Sequence, residues 1–280
     1  MKETIRRPLP IEVLSYLRDH RAGGKTVLPA VEALQRLASS TQGYFPGIYV
    51  LAMYRASFPR FLLIEPEDQT VEAYNEIETD DDGNLKAKLV TVSVSKRMNI
   101  ARSRVYAQVC FKKIAPDFLE KDISFSLEDE ETFDISREKL YQELVPLGPS
   151  YQNAYEPIRL GRQGATASLR APALPAPIEP LGSPFPFDAA MHCACAWSQR
   201  FYGIVAFPVG FDRRIIVNRT KPGENYECRI VPVSSEKGTL IFDIRIYHEK
   251  GFLCEFIAGI EMQDVSAGRL SPPFWIRDIA

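Results

Sequence analysis

Between Leu51 and Phe111 apolar and polar residues alternate with the period of a strand. Val90, Val92 and Val94 alternate with Thr91, Ser93 and Ser95, and Val105, Ala107, Val109 and Phe111 alternate with Tyr106, Gln108 and Cys110. A period of two sends successive side chains to opposite faces, so these runs predict half-buried strands. Asp81-Asp82-Gly83-Asn84 separates two of them, and Gly and Asn tolerate the positive φ of a tight hairpin turn. Ahead of the strands, Ala30, Ala33, Leu34, Leu37 and Ala38 follow Pro29 at the i, i+3, i+4, i+7, i+8 spacing of a helix with one apolar face. Proline suits the first turn of such a helix.

The second half repeats this plan. A helix is predicted from about Pro186 to Tyr202, and it is apolar nearly all round (Phe187, Ala189, Ala190, Met191, Cys193, Trp197), as expected of a helix enclosed by a sheet. Leu240, Phe242, Ile244 and Ile246 then alternate with residues such as Asp243 and Arg245, a turn falls at Glu249-Lys250-Gly251, and Phe252, Cys254, Phe256, Ala258 and Ile260 continue the alternation. Prolines at 172, 175, 177, 180, 184 and 186 mark an extended loop before the helix. An acidic stretch from Asp117 to Asp134 has weak periodicity until Leu140 and reads as a linker. The expected organisation is an α+β fold with units at 1–125 and 145–280 joined by a linker at 126–144, each unit one buried helix wrapped by an antiparallel sheet.

Composition narrows the function classes. The chain has 280 residues, 45% hydrophobic and 25% charged, which is enough to bury a sizeable core. Lys plus Arg number 34 against 36 Asp plus Glu, so no global field favours nucleic acid or anionic lipid. The longest apolar stretches, Gly203 to Gly210 and Phe252 to Ile260, are far short of the roughly 20 residues of a membrane helix. Met1 to Pro10 has charges with no apolar run behind them, so no secretory signal is read and the cytoplasm is the expected compartment. Five scattered cysteines (110, 193, 195, 228, 254) do not make a disulfide framework and are expected to be buried apolar residues. There is no Gly-rich phosphate loop, no H-E-x-x-H and no paired C-x-x-C, so neither a nucleotide nor a metal is implied. Asn218-Arg219-Thr220 is a chance glycosylation sequon in that setting. Arg213, Arg214 and Arg219 form a basic cluster, read as a solvated strand face or as a surface that meets an acidic carrier protein.

The segment His20-Arg21-Ala22-Gly23-Gly24-Lys25-Thr26-Val27-Leu28-Pro29 places a histidine on a glycine turn that feeds a helix N-terminus. Unsatisfied backbone N–H groups there, backed by the positive helix end, are suited to hold a developing oxyanion at the Gly24 to Pro29 turn while His20 works as a base. An ordinary loop histidine is the alternative that this segment alone leaves open. His20, Gly24 and Pro29 form H-x-x-x-G-x-x-x-x-P, which resembles the signature of the dehydratase domains of polyketide and fatty-acid synthases. Gly148-Pro149-Ser150-Tyr151-Gln152 resembles their Y-G-P-x-F/Y segment, and Asp188-Ala189-Ala190-Met191-His192 resembles their D-x-x-x-Q/H. The closing segment from Ile246 to Glu261 is also similar, and the resemblance covers about residues 10 to 262. Two departures stand out. Leu147 replaces the usual tyrosine and removes its hydroxyl, and Phe207-Pro208-Val209-Gly210-Phe211 stands where relatives carry a Leu-Pro segment followed by an aromatic.

The resemblance implies a double-hotdog fold and removal of water from a 3-hydroxyacyl thioester to give a 2-enoyl thioester. His20 is then the base, Asp188 the acid and His192, four residues along the same helix face, the residue that orients Asp188. Burial beside Phe187 and Met191 is expected to favour the protonated acid, against the pull of the helix N-terminus. Leu147, Gly148, Pro149, Tyr151 and Phe187 are expected along the substrate tunnel, and Tyr155 belongs either there or in the core. His248 is expected to be a solvated strand-end residue. No cofactor is implied beyond the phosphopantetheine of an acyl carrier protein, and the implied partners are that carrier, other synthase components and, in one arrangement, a second copy of the chain. A cyclase or isomerase of the same fold acting on a carrier-bound polyketide, and a non-catalytic acyl-binding double hotdog, are the alternatives.

Overall fold

The computed structural model describes residues 4–95, 100–117, 127, 131–236 and 238–277. Twelve strands build one antiparallel sheet. The first half supplies β1 (Thr4–Pro8), β2 (Tyr49–Ser57), β3 (Tyr74–Thr79), β4 (Leu85–Ser95) and β5 (Ile100–Lys112). The second supplies β6 (Phe133–Ile135), β7 (Ala154–Gly161), β8 (Gly164–Arg170), β9 (Phe207–Ile216), β10 (Asn225–Glu236), β11 (Thr239–His248) and β12 (Leu253–Gln263). Their spatial order is β1, β3, β4, β5, β2, β9, β12, β11, β10, β8, β7, β6. The halves meet where β2 pairs with β9, with Met53 opposite Arg214 and Ser57 opposite Gly210.

Each half packs its strands on one helix, which is the α+β double hotdog. Helix α1 (Ala30–Tyr44) lies on β2 to β5 with Val31, Leu34, Leu37 and Ala38 buried. Pro29 precedes its first turn in an extended conformation and acts as the cap position. Helix α2 (Phe185–Tyr202) lies on β7, β8, β10 and β11 and also touches α1. Every residue from Phe185 to Gln199 is buried, because sheet covers this helix on one side and α1 with the 140–151 segment on the other. Burial of Phe185, Phe187, Met191 and Trp197 contributes about 1.5–3 kcal/mol for each such side chain. One continuous apolar core runs through both halves.

Several sequence expectations change. Part of the acidic stretch read as a linker lies outside the described residues, but its C-terminal end is not loop. Phe133–Ile135 pairs with β7, and a short helix Arg137–Lys139 runs on as a π turn Leu140–Leu144 that buries Leu140, Tyr141 and Leu144. Residues 4–8, which carry no apolar run, form an edge strand on β3. His248 is buried at its strand end, stacked on Phe252 at 4.6 Å and 3.5 Å from Glu224. Four of the five cysteines are buried and Cys110 is half-buried.

The basic cluster is also split by the fold. Arg213 and Arg219 are exposed, whereas Arg214 is 2% exposed, donates to Glu255 from Nε at 2.8 Å and covers the Phe187 ring at 4.5 Å. A guanidinium can be buried here because Glu255 on the neighbouring strand is fully enclosed with it. Removing one partner strands the other charge in the core. Arg214→Ala is therefore expected to cost about 3–5 kcal/mol of stability. Joint replacement by Met at 214 and Leu at 255 should recover most of that loss, as read by urea unfolding.

Candidate active site

His20 follows a 3-10 turn, Ser15–Asp19, and begins a small hairpin of Arg21–Ala22 with Lys25–Thr26. Gly23 and Gly24 make its turn with φ of +57° and +78°, a conformation that L side chains rarely adopt. The hairpin returns the chain so that Val27 donates its N–H to the His20 carbonyl at 3.0 Å. The Val27 carbonyl in turn lies 3.2 Å from His20 Nδ1. A carbonyl oxygen only accepts, so Nδ1 carries the proton and Nε2 keeps a free lone pair. That Nε2 faces Asp188, with Oδ1 at 4.0 Å. Burial pushes the imidazole pKa below 6.5, and the nearby Asp188 carboxyl only partly opposes this.

Asp188 sits in the first turn of α2 with its side chain 4% exposed. His192, one turn on, brings Nε2 to 3.0 Å from Oδ2, at an angle that leaves this oxygen without an aligned hydrogen bond. A tyrosine fixes the His192 tautomer. The Tyr141 hydroxyl accepts the Ala154 N–H at 2.8 Å, which leaves its own hydrogen to donate to His192 Nδ1 at 3.3 Å. His192 then presents Nε2–H to Asp188.

His20, Asp188 and His192 share one cavity of about 890 Å³ between the two halves. Its wall is mostly apolar, with Leu28, Met191 and Leu147 beside the pair, and with Phe207, Pro208 and Val209 supplied by the segment that departs from the family pattern. Polar groups gathered in an apolar cleft are the usual make-up of a small-molecule site. Cys195 is on the wall too, its thiol pushed up to about 11 by burial, so it stays protonated at neutral pH. Among the described residues no group of three or more His, Cys, Asp or Glu is placed to hold a metal ion, and no helix is long and apolar enough to cross a membrane.

Of the expected tunnel residues Leu147 borders the cavity, whereas Gly148, Pro149, Tyr151 and Phe187 do not; of the two residues expected at the oxyanion turn, Gly24 borders it and Pro29 does not. Gly148 instead meets Asp19: its N–H donates to the Asp19 carbonyl at 2.7 Å, and a Cβ there would fall 2.4 Å from Asp19 Oδ1. The Asp19 carboxylate also accepts the Ser150 N–H at 3.0 Å and the Ser150 hydroxyl at 2.6 Å. Pro149 heads the 3-10 turn Pro149–Tyr151 and is exposed. Tyr151 is fully buried behind the wall, its ring edge-on to His20 at 5.0 Å, and its hydroxyl has no hydrogen-bond partner. Phe187 packs between Arg214 and Phe211. Tyr155 is half-buried under Arg137, at 4.8 Å, away from the cavity.

Two residues that hold the site were missed from sequence. Tyr141 lay in the stretch read as linker, although Leu140, Tyr141 and Leu144 have helical apolar spacing. Asp19 stands beside His20 but acts on a turn 131 residues away, and no local pattern reports such a pairing.

A model of the polyketide synthase dehydratase N-terminal domain family matches residues 127–272. No curated protein matches the chain. Similar solved structures include the dehydratase domain of RzxB from Pseudomonas fluorescens, with a TM-score of 0.70 at 15% identity over 91% of this chain and 94% of that one. The dehydratase domain from the CurJ module of curacin polyketide synthase gives 0.72 at 16% identity over 93% and 91%. The dehydratase domain of PpsC from Mycobacterium tuberculosis, in complex with C12:1-CoA, gives 0.64 at 16% identity over 93% of each chain. Identities this low speak for the shared fold alone. The family match is a sequence match, and it spans just over half of the 280 residues; this chain belongs to the polyketide synthase dehydratase family.

Proposed function

We propose that the chain removes water from a 3-hydroxyacyl thioester carried on the phosphopantetheine arm of an acyl carrier protein, giving a 2-enoyl thioester during polyketide or fatty-acid synthesis. The observation that carries this reading is the pair itself: an imidazole with a bare Nε2 and a buried carboxyl, 4.0 Å apart, brought from opposite halves of the chain to one apolar cavity. In the reaction His20 Nε2 takes the α-proton, the C2–C3 double bond forms, the C3–O bond breaks and Asp188 delivers its proton to the departing hydroxyl. The pair needs one proton in total, on Asp188 at the start and on His20 at the end. Transfer from His20 back to Asp188 through the product water, which can bridge the 4.0 Å between them, resets the site without an external acid or base. These steps draw on no redox group or metal.

The surroundings support each role. The Val27 carbonyl holds the proton on Nδ1, so the correct nitrogen faces the substrate. His192, oriented by Tyr141, keeps the Asp188 carboxyl turned into the cavity. The apolar wall suits an acyl chain, and the ligand of the PpsC structure, C12:1-CoA, is a thioester of the proposed product class. A cytoplasmic location, where carrier proteins and synthase components work, goes with this reading.

Two measurements test it. His20→Ala and Asp188→Asn should each lower turnover of a carrier-bound 3-hydroxyacyl thioester by roughly 10² to 10⁴, the usual range for positioned acid and base groups. Their double mutant should be scarcely worse than either single one, because the groups act as a unit. Near wild-type turnover in both single mutants, or none in the wild type across several chain lengths, refutes the assignment. The second measurement is the pH profile of kcat/KM. His20 must be neutral to act, and its folded-state pKa is depressed, so activity should persist down to pH 6.5 and fall only below it. An acidic limb centred above 6.5 contradicts a buried neutral base.

A further inference from the structure

A second buried carboxyl lies behind the site and takes no part in the reaction just described. Glu32, in the first turn of α1, is fully enclosed, and its Oε1 accepts the Tyr16 hydroxyl at 2.8 Å. Its Oε2 lies 3.5 Å from the Arg36 guanidinium without an aligned hydrogen bond. Tyr16 belongs to the 3-10 turn that ends at His20. The Tyr16 ring meets Phe185, at the start of α2, edge-on at 5.9 Å and meets Tyr151 at 6.2 Å. Tyr151 then meets His20 edge-on at 5.0 Å.

We infer that Glu32 is a positioning residue for His20, acting through the Tyr16 hydroxyl to set the depth of the 3-10 turn and through the Tyr16–Tyr151 ring contact to set the plane of the imidazole. Among the described residues the His20 ring itself has few other restraints. Its ring is held by the 3.2 Å bond to Val27, and Asp188 at 4.0 Å is beyond hydrogen-bond reach. The orientation of Nε2 therefore depends on what packs against the ring, and that packing is anchored at Glu32. A buried carboxyl at this place is otherwise costly, since burial disfavours its charged form and Asp188 adds to the effect. Tyr16 supplies the hydrogen bond that makes it tolerable, and the same bond ties the base-bearing turn to α1.

This inference deepens the proposed dehydration and rests on it for its kinetic arm. The variants are Tyr16→Phe, Glu32→Gln and Glu32→Ala, each checked for cooperative thermal unfolding. Tyr16→Phe and Glu32→Ala should lower kcat about tenfold, in keeping with the loss of one buried hydrogen bond. KM should stay within about twofold, because the substrate wall is untouched. Glu32→Gln keeps an acceptor for Tyr16 and should stay near wild type. The double mutant Tyr16→Phe/Glu32→Ala should match Glu32→Ala, since both break one bond.

A second arm needs no turnover. The chain has three histidines, so its ring signals are few enough to assign by NMR. Tyr16→Phe and Glu32→Ala should move the His20 signals and leave those of His248 in place. Wild-type kcat together with unmoved His20 signals in folded Tyr16→Phe overturns the inference, and so does a joint shift of all three histidines, which marks a general loosening. If the wild type dehydrates no thioester, the proposed function falls, and the ring signals alone decide: moved at His20 they support the positioning role, unmoved they refute it.

Discussion

Asp19 reaches from the first half of the chain to the turn at Gly148–Ser150 in the second, and the placing of His20 beside it depends on how closely that turn approaches. Its carboxylate takes two hydrogen bonds from Ser150, and its backbone carbonyl takes one from Gly148. Such an approach is open only to a residue without a Cβ, which accounts for the glycine there. The next residue after Asp19 is His20, and the turn it grips ends at Tyr151, the ring that lies edge-on to His20. One clamp therefore holds both the turn that ends at His20 and the ring behind it. The β2 to β9 pairing joins the two sheets, and the Asp19 clamp adds a second tie between the halves beside His20.

Burial then gives the site its chemistry and also its cost. Asp188, Glu32, Arg214 and Glu255 are all within 3% of full enclosure. Each would be destabilising alone, since an isolated ion in the interior loses its hydration without compensation. Each is tied instead to one neighbour: Glu32 to Tyr16, Arg214 to Glu255, Asp188 to His192. Arg214 also covers Phe187, the residue before Asp188, so the structural ion pair and the Asp188 carboxyl meet the same helix turn. Glu32 reaches the start of α2 through Tyr16 and Phe185, and Arg214 reaches the same turn through Phe187.

The strands within 51–111 and 240–260, both central helices and the meeting of His20 with Asp188 at one cavity were legible because each depends on local spacing: alternation in the sheet, i to i+4 apolar repeats in α1, a glycine turn before a proline, an aspartate one turn from a histidine. What escaped depends on direction or distance. Tyr151 was expected on the tunnel as the aromatic of its motif and Phe187 as the neighbour of Asp188, yet neighbours in sequence point to different sides of a helix or turn. Arg214 and His248 were read as solvated since charged and titratable side chains are mostly exposed. Their partners Glu255 and Glu224 sit on or beside other strands, and only the register brings them close. Tyr141 was hidden by the acidic composition just before it, which outweighed a short apolar spacing.

The position of the pair constrains the proposed reaction further. His20 Nε2 and Asp188 Oδ1 are 4.0 Å apart and both border one cavity, so a substrate entering it meets base and acid from the same side. The α-hydrogen and the hydroxyl lie on adjacent carbons, and the two groups can act on them together only if both leave from the face turned to the pair. In the proposed reaction the same closeness lets a single water pass the proton gained by His20 back to Asp188, which a pair on opposite walls would not allow. Leu147, in place of a tyrosine, adds no third proton donor to that wall. The single proton held between imidazole and carboxyl is then the one that departs with each water and is replaced from each substrate.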